Sequence, residues 1–454
     1  MNNSVMKKEI EKKKPVLSLI QTKIKDKKNY YDNLFKTFEN YNKNGKMTIA
    51  YFCDTFYPIV DGVIGVLNNY ASRLMDKCNV VVFVPKYKGK ITQKGYTVVG
   101  VTSAYFKFVN YSLAFPDFDP ELEKLVKKLR IDIIHSHSPF TMGAYAVKLA
   151  KKRKVPLVYT LHSQYKKDFL QATKSEPMSK MLLKDIMRKV QSSTEVWTMH
   201  QSALDTLFEY GYNGRYLLVP NATNYIYPSN ADSLVQLVND NYNITNCPNV
   251  FLFVGRIVEQ KNILFLVRSL KVLKDMGVEF KMFFVGEGPS ENKLRELIQE
   301  LDMTREIIQT GRIESIDELL GLYLRADLFL FPSLYDMSSI VQLEAAAHKT
   351  PTLFIKGSVT ACGVEDGYNG YLSENSEKDY AKRIQEIISN PEMLKQVSEG
   401  CNKHLYVHWD NVMKQVLERY KYLIEQNKNN LRIAKEEKAK AKELRKFHAI
   451  GNRD

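Results

Sequence analysis

The sequence VFLFVGRIVEQKN, residues 250–262, contains the strongest indication of the fold in this chain. Its first five residues are apolar and rich in valine and phenylalanine, as in a buried β-strand. Gly255 then ends the strand, and apolar residues at helical spacing extend from Asn262 to Met276. A strand, a glycine turn and a helix in this order predict a βαβ unit of a parallel sheet.

The same alternation extends in both directions from this segment. Further apolar runs of strand length lie at Met47–Cys53, Val80–Val84, Ile131–His135, Leu157–Leu161, Lys281–Val285, Ile307–Thr310 and Leu328–Phe331. Two successive patterns predict an α/β protein with two Rossmann-like domains that face each other across a cleft. We place a basic N-terminal extension at 1–46, the two domains at 47–221 and 222–423, and a charged C-terminal helix or tail at 424–454.

Length and composition exclude several classes of protein. The chain has 454 residues, of which 44% are hydrophobic and 26% charged, as in soluble globular proteins. No apolar stretch reaches the ~18 residues of a transmembrane helix, and the first residues lack a signal peptide. The five cysteines are scattered, which favours reduced thiols over a disulfide framework or zinc site. We therefore expect a cytoplasmic protein.

The positive charge is concentrated in the N-terminal half of the chain and in both terminal segments. The net charge is +15, and residues 1–46 carry 12 lysines and arginines against five acidic residues. Residues 121–191 carry 16 against six, and residues 428–454 carry nine against four. This distribution favours contact with an anionic membrane or a polyanion. An ordinary solvated lysine surface is the alternative.

Two candidate ligand-binding residues follow predicted strands of the front half. Gly62 lies in the loop before a predicted helix, where a glycine lets helix amides approach a phosphate or sugar. His162 ends the run Leu157–Leu161 and can donate a hydrogen bond to a ligand. A tight turn and a loop-capping histidine are the alternatives.

Arg256 and Lys261 place two cations before the helix that starts near Asn262. Cations are normally favoured at the opposite, C-terminal end of a helix. A diphosphate bound by both side chains and by the helix amides would explain their position. A solvated lysine with a small energetic penalty is the alternative.

The segment Pro332–Ala347 follows another predicted strand. Asp336 lies in its loop, Ser338 and Ser339 can expose N–H groups at a helix start, and Glu344 lies on that helix. A carboxylate there can accept hydrogen bonds from the paired hydroxyls of a ribose. A capped helix with favourably placed acidic residues is the alternative.

These motifs, in this order, resemble glycosyltransferase family 4, the retaining, nucleotide-sugar-dependent enzymes with the GT-B fold. The resemblance runs from about Met47 to Leu423 and includes Val219-Pro220-Asn221, the turn Val285–Pro289 and the segment Gly363–Gly370. Asp336 and Glu344 match the two acidic positions of the family motif. The match over most of the chain implies two Rossmann-like domains and sugar transfer.

The resemblance implies a role for each matching residue. His162 would contact the transferred sugar, Asp336 would lie beside it, and Arg256 and Lys261 would neutralise the diphosphate. The implied donor-binding residues are Gly62, Gly286, Ser338, Ser339 and Glu344, with Gly62 under the phosphates and Glu344 on the ribose. No metal or cofactor is implied besides the nucleotide-sugar co-substrate.

The chain departs from the family at three places. Asp336 replaces a glutamate, Ser338-Ser339 replaces Phe-Gly, and Lys349 replaces a glycine. These changes leave the donor sugar open. They also allow a weak enzyme or a non-catalytic GT-B partner of an active glycosyltransferase.

Within the family, residues Thr160–Phe169 (TLHSQYKKDF) are similar to bacterial diacylglycerol glucosyltransferases, which bind anionic membranes through a basic N-terminal domain. Residues 165–191 alternate apolar and basic side chains, as in an interfacial helix. The membrane-binding residues we predict are Lys166, Lys167, Lys180, Lys184 and Arg188. Ordinary packing of this segment on the domain body is the alternative.

The sequence therefore predicts a retaining hexosyltransferase. It would move a hexose from a nucleotide sugar such as UDP-glucose to a lipid such as diacylglycerol, as a peripheral protein at the inner membrane face. The alternative acceptors are a surface polysaccharide or a glycoprotein. Nucleic-acid binding ranks last, because no nucleic-acid-binding motif accompanies the basic charge.

Overall fold

The structure, a computed structural model, describes residues 28–59, 61–106, 111–334 and 336–451. The first 27 residues of the predicted extension lie outside the described residues, as do the last three of the predicted tail. The chain divides into two compact units. The first holds the described residues up to Ile59, Ala71–Leu157 and the residues from Leu423 on, and the second holds 61–70 and Val158–Tyr422.

The strands are short and parallel in the main sheets, and those in the middle of the sheets are almost entirely buried. They are β1 (Thr48–Phe52), β2 (Asn79–Pro85), β3 (Thr97–Val101), β4 (Ser103–Phe106), β5 (Tyr111–Ala114), β6 (Ile133–Ser136), β7 (Leu157–Thr160), β8 (Glu195–Thr198), β9 (Tyr216–Leu218), β10 (Val250–Val254), β11 (Lys281–Val285), β12 (Ile307–Gly311), β13 (Leu328–Phe331), β14 (Thr352–Ile355) and β15 (Tyr371–Ser373).

Helices separate most of these strands, as the sequence predicts. They are α1 (28–43), α2 (Gly62–Leu74), α3 (Pro120–Lys128), α4 (Thr141–Arg153), α5 (Tyr165–Thr173), α6 (Glu176–Val190), α7 (Gln201–Glu209), α8 (Ala231–Tyr242), α9 (Ile263–Asp275), α10 (Glu291–Glu300), α11 (Ile316–Arg325), α12 (Ile340–Ala347), α13 (Glu377–Ile388), α14 (Pro391–His404) and α15 (Trp409–Gly451).

The first unit contains parallel strands in the order β3-β2-β1-β6. Its apolar core includes Phe52, Phe83 and Ile134 from these strands. Leu34 and Phe38 of α1 are buried in the same core. The part of the predicted basic extension that forms α1 therefore packs onto the unit through one apolar face.

The second unit contains two sets of parallel strands. One has the order β7-β8-β9, and the other is a six-stranded sheet with the order β12-β11-β10-β13-β14-β15. The latter is the strand order of a doubly wound Rossmann sheet, whose direction of winding reverses between its first and fourth strands, here β10 and β13. Ligands bind at the carboxyl ends of such a pair of strands. We therefore expect a ligand site at the loops after Val254 and Phe331.

The fold class is confirmed: the chain is an α/β protein with two Rossmann-like arrangements and a long C-terminal helix. The strands predicted at Val250–Val254, Lys281–Val285 and Leu328–Phe331 agree with β10, β11 and β13 to the residue. In the part of the chain that the structure describes, no helix has the length and apolarity needed to cross a bilayer. No observation tests the domain boundaries, which stay a prediction.

Candidate functional site

A pocket of about 1080 Å³ lies within the second unit, where the loops after several strands converge. It contains seven of the predicted catalytic and donor-binding residues: Gly62, His162, Arg256, Lys261, Asp336, Ser338 and Ser339. Sequence positions more than 270 residues apart thus share one cavity. These residues converge because each follows the carboxyl end of a parallel strand. His162 follows β7, Arg256 and Lys261 follow β10, and Asp336 follows β13.

Gly286 and Glu344 are not among the residues that line this pocket. Gly286 has a φ of +133°, and a Cβ atom there would lie 2.0 Å from the Gly255 carbonyl oxygen. Only glycine allows the turn after β11 to press against the turn after β10. Gly286 thereby shapes the loop that carries Arg256 and Lys261.

Lys261 and Asp336 form an ion pair in the pocket. The Lys261 Nζ lies 2.8 Å from Asp336 Oδ1 and 2.9 Å from Oδ2, and the side chains are 15% and 20% exposed. Ser333 Oγ donates a 2.6 Å hydrogen bond to Asp336 Oδ2. This network holds the ammonium group at the pocket and compensates its charge.

Arg256 and Asp61 are a second pair of opposite charges at the pocket. Desolvation raises the pKa of the Asp61 carboxyl, and hydrogen bonds from the Ile64 and Val63 amides and the charge of nearby Arg256 partly offset that rise. The Ile64 amide donates to Asp61 Oδ1 at 2.9 Å. Asp61 therefore caps α2, so an anion above Gly62 would share the helix start with a carboxylate.

His162 is uncharged over the physiological pH range. Burial lowers the pKa of its imidazole to about 3, because the charged form loses its hydration. A neutral imidazole can donate one hydrogen bond and accept another, which suits contact with a sugar hydroxyl.

The titration of His162 gives a direct check. We expect its Cε1–H signal to keep one NMR chemical shift between pH 5 and pH 8, because its pKa lies near 3. The signal is assigned as the one that disappears in His162→Gln. A midpoint between pH 6 and 7 for this signal would contradict the assignment of a neutral ring.

The start of α12 presents backbone donors to the pocket. Ser339 is the N-cap residue, but its side chain makes no capping hydrogen bond. Residues Ser338, Ser339, Ile340 and Val341 all line the cavity. The first amides of a helix need partners and carry its positive dipole end, so this arrangement favours an anion such as a phosphate.

Glu344 lies one turn further along α12, beside Tyr323 of α11. The Tyr323 hydroxyl donates a 2.9 Å hydrogen bond to Glu344 Oε2. Burial raises the pKa of the Glu344 carboxyl to about 7, although this hydrogen bond partly offsets the rise. The Glu344 carbonyl also accepts a 2.7 Å hydrogen bond from His348 Nδ1. Glu344 therefore titrates near neutral pH, well above the usual range of a glutamate.

Helices α5 and α6 carry the predicted membrane-binding residues on an exposed surface. Lys166, Lys167, Lys180, Lys184 and Arg188 are all exposed. Leu170, Met178 and Met181 are exposed apolar side chains among them, while Ile186 and Met187 are buried in the core. The end of the segment therefore packs on the domain body, as one interpretation predicts. Its beginning exposes apolar and basic side chains to solvent, as the membrane-binding interpretation predicts.

Two predicted membrane residues also make local contacts. Lys167 Nζ lies 3.3 Å from the Leu334 carbonyl in the loop after β13, and Lys180 pairs with Glu176 at 3.4 Å. Gln171 of α5 lines the pocket. Helix α5 therefore carries exposed basic and apolar side chains and also contributes one residue to the wall of the pocket.

Sequence reasoning missed several residues of the pocket. Asp61, Gln164, Gln171 and Met199 line it without having been assigned a role. Asp61 and Gln164 neighbour motif residues, so strand-end position could have identified them. Met199 follows β8, whose short sequence Glu-Val-Trp-Thr gives no apolar run.

The described residues contain no group of three histidine, cysteine, aspartate or glutamate side chains placed to hold a metal ion. The positive groups at the pocket are Arg256, Lys261 and the α12 amides. Chemically, the site can hold an anion next to a neutral imidazole and a carboxylate.

Family comparisons cover most of the chain. Residues 60–225 match "Glycosyltransferase Family 4", and residues 237–404 match "Glycosyl transferases group 1". The alpha-monoglucosyldiacylglycerol synthase of Acholeplasma laidlawii is 24% identical over 78% of this chain and 92% of its own length. The synthase of the same name from Streptococcus pneumoniae is 25% identical over 86% and 89%.

A solved structure agrees with this assignment at the level of the fold. The Anabaena HepE protein in complex with UDP superimposes with a TM-score of 0.67 at 17% identity, covering 83% of this chain and 100% of that one. The two family matches, the relatives and the shared fold point to one conclusion. This chain is a hexosyltransferase of glycosyltransferase family 4 with the GT-B fold.

Proposed function

We propose that this glycosyltransferase moves glucose from UDP-glucose to diacylglycerol at the cytoplasmic face of the membrane, with retention of configuration and without a metal ion. The observation that carries the proposal is the α5–α6 surface, which exposes apolar and basic side chains and whose helix α5 also contributes Gln171 to the pocket. The two relatives are both named as monoglucosyldiacylglycerol synthases, which supports the same sugar and acceptor.

The donor side of the proposal rests on the charges in the pocket. Cleavage of the sugar–phosphate bond leaves an additional negative charge on the departing diphosphate. Arg256 and Lys261 line the cavity and can stabilise that charge, which is the task a divalent cation performs in other enzymes. The departing phosphate oxygen can then accept the proton of an acceptor hydroxyl that attacks the same face of the sugar.

The acceptor side rests on the amphipathic surface. Met178 and Met181 are 45% and 60% exposed, and Lys180 and Lys184 lie on the same helix. Apolar side chains flanked by lysines bind the boundary between acyl chains and anionic headgroups. Such contact would bring Gln171 and the pocket close to a lipid hydroxyl.

The test is transfer from UDP-glucose to diacylglycerol in vesicles with and without phosphatidylglycerol, with EDTA present. We expect monoglucosyldiacylglycerol by mass spectrometry, formed faster on the anionic vesicles. Met178→Gln/Met181→Gln should lower vesicle binding and lipid glucosylation by about tenfold, since each change removes about 1 kcal/mol or less of apolar burial.

A matched control uses two methionines elsewhere. Met276 and Met393 are 39% and 41% exposed, so Met276→Gln/Met393→Gln makes the same chemical change away from α5 and α6. This control should bind vesicles like the wild type. Equal activity of all three proteins, or transfer only to a polysaccharide or protein acceptor, would refute the lipid part of the proposal.

A further inference from the structure

The loop after β13, here called the Asp336 loop (residues 332–334 and 336–339), is held by side chains from outside it. Asn262 Nδ2 donates to the Pro332 carbonyl at 3.3 Å, and Thr360 Oγ1 donates to the Ser333 carbonyl at 3.3 Å. Both contacts fix the beginning of the loop. Its end, which carries the two serines, is held by a different pair of residues.

That pair is His200 and Asn221. His200 Nε2 lies 2.6 Å from the Met337 carbonyl oxygen, and Asn221 Nδ2 donates to the Ser338 carbonyl at 3.3 Å. The Met337 side chain is buried in an apolar cluster that also contains Met199 and residues of α7. The end of the loop is thus anchored by one side chain and two successive carbonyls.

The hydrogen bonds of His200 define which nitrogen carries the proton. Its Nδ1 accepts a hydrogen bond from the Ala203 amide at 3.3 Å and caps α7, so Nδ1 carries no hydrogen. Nε2 therefore bears the hydrogen and donates it to Met337. One neutral imidazole joins the first turn of α7 to the Asp336 loop.

Because the peptide unit is planar, these two contacts determine where the neighbouring N–H groups point. The C=O and N–H of one peptide unit point to opposite sides. With the Met337 and Ser338 carbonyls held by His200 and Asn221, the N–H groups of Ser338 and Ser339 point away from those two side chains. Both serines line the pocket.

We propose that His200 is a positioning residue that aims the Ser338 amide at the diphosphate of the nucleotide sugar. This inference rests on the proposed donor site, and it assigns a role to a residue outside the motifs that carry the family resemblance. In this arrangement His200 touches no substrate and acts through the Met337 peptide.

Three substitutions separate this role from helix capping. His200→Ser keeps a good N-cap for α7, but its short side chain cannot reach Met337. His200→Gln keeps a neutral donor and acceptor on a longer side chain, and His200→Ala keeps neither. Ser315→Ala is the matched control, because Ser315 caps α11 through Glu318 and contacts no residue of the Asp336 loop among the described ones.

The measurements are the dissociation constant of UDP by calorimetry, the KM for each substrate and the melting temperature. Loss of one hydrogen bond to a charged group should weaken UDP binding about tenfold. We expect this loss, and a matching rise in the donor KM, in His200→Ser and His200→Ala. The acceptor KM should stay constant, and His200→Gln and Ser315→Ala should bind UDP like the wild type.

Three other outcomes would reject either the donor site or the positioning role of His200. If the wild type does not bind UDP, the proposed donor site is wrong and the role of His200 falls with it. If the wild type binds UDP and His200→Ser binds it equally well, the donor site stands and the positioning role is overturned. If UDP binding is weakened as much in His200→Gln as in His200→Ser, the positioning role is also overturned.

Discussion

Replacing Lys261 with alanine is expected to lower kcat by about a thousandfold, the effect of removing a preorganised charge from a developing anion. The ammonium group lies at the pocket and is held by both oxygens of Asp336. The variant should also lose about 1–3 kcal/mol of stability, because Asp336 would keep a largely buried charge without its partner. Steady-state kinetics and urea unfolding measure the two effects.

Two further variants separate stability from catalysis. Lys261→Ala/Asp336→Asn removes the unpaired charge and should regain stability but not activity. Lys274→Ala breaks the Lys274–Glu306 pair, which has a similar distance of 3.1 Å and lies outside the pocket lining. It should keep full activity. Near wild-type kcat in Lys261→Ala would remove Lys261 from the catalytic site.

Replacing Glu344 with glutamine is expected to stabilise the protein while weakening donor binding. The pKa of Glu344 rises from 4.5 to about 7 on folding, so the folded chain holds this proton more tightly than the unfolded chain. The free energy of unfolding therefore falls as the pH rises from about 4.5 to about 7. The difference corresponds to about 3 kcal/mol above that window, and glutamine avoids it.

The measurements are urea unfolding and UDP affinity at pH 5 and pH 8. The stability gain of Glu344→Gln should be small at pH 5 and largest at pH 8. The family resemblance implies that Glu344 holds the ribose hydroxyls, for which an ionised carboxylate is the better acceptor. Donor affinity of the wild type should therefore rise with pH, and the variant should lack this rise. A variant that is less stable than the wild type at pH 8 would contradict the account.

Tyr323→Phe provides the matched control for Glu344. It removes the hydroxyl that donates to the carboxylate and leaves the ring in place. Without this hydrogen bond the pKa of Glu344 should rise further, and the loss of stability with rising pH should continue to a higher pH. Glu344→Gln/Tyr323→Phe should show little of that pH dependence.

Apolar runs and glycines made much of the fold predictable from sequence. β10 and β13 are continuous apolar segments, so their ends could be located to the residue, and the residues beyond them formed the pocket. Lys261 was recognisable because a cation before a helix opposes the helix dipole. These are local signals, which one sequence carries by itself.

The residues that were missed depend on contacts between distant segments. β8 contains Glu195, which is fully buried and pairs with Arg419, 224 positions away. A buried charge whose partner lies so far along the chain gives no apolar pattern, so β8 and the residues after it were not predicted. His200 follows β8, and its bond to Met337 also spans 137 positions.

The most direct test of the central claim is a thermal-shift comparison of UDP, UDP-glucose and uridine with the wild type and Lys261→Ala. A ligand at 100 times its dissociation constant adds about 2.7 kcal/mol to the stability of the folded state. We expect UDP and UDP-glucose to raise the wild-type melting temperature and uridine to have little effect, and we expect Lys261→Ala to lose most of the difference. No shift with any uridine diphosphate, or an equal shift in Lys261→Ala, would contradict the central claim.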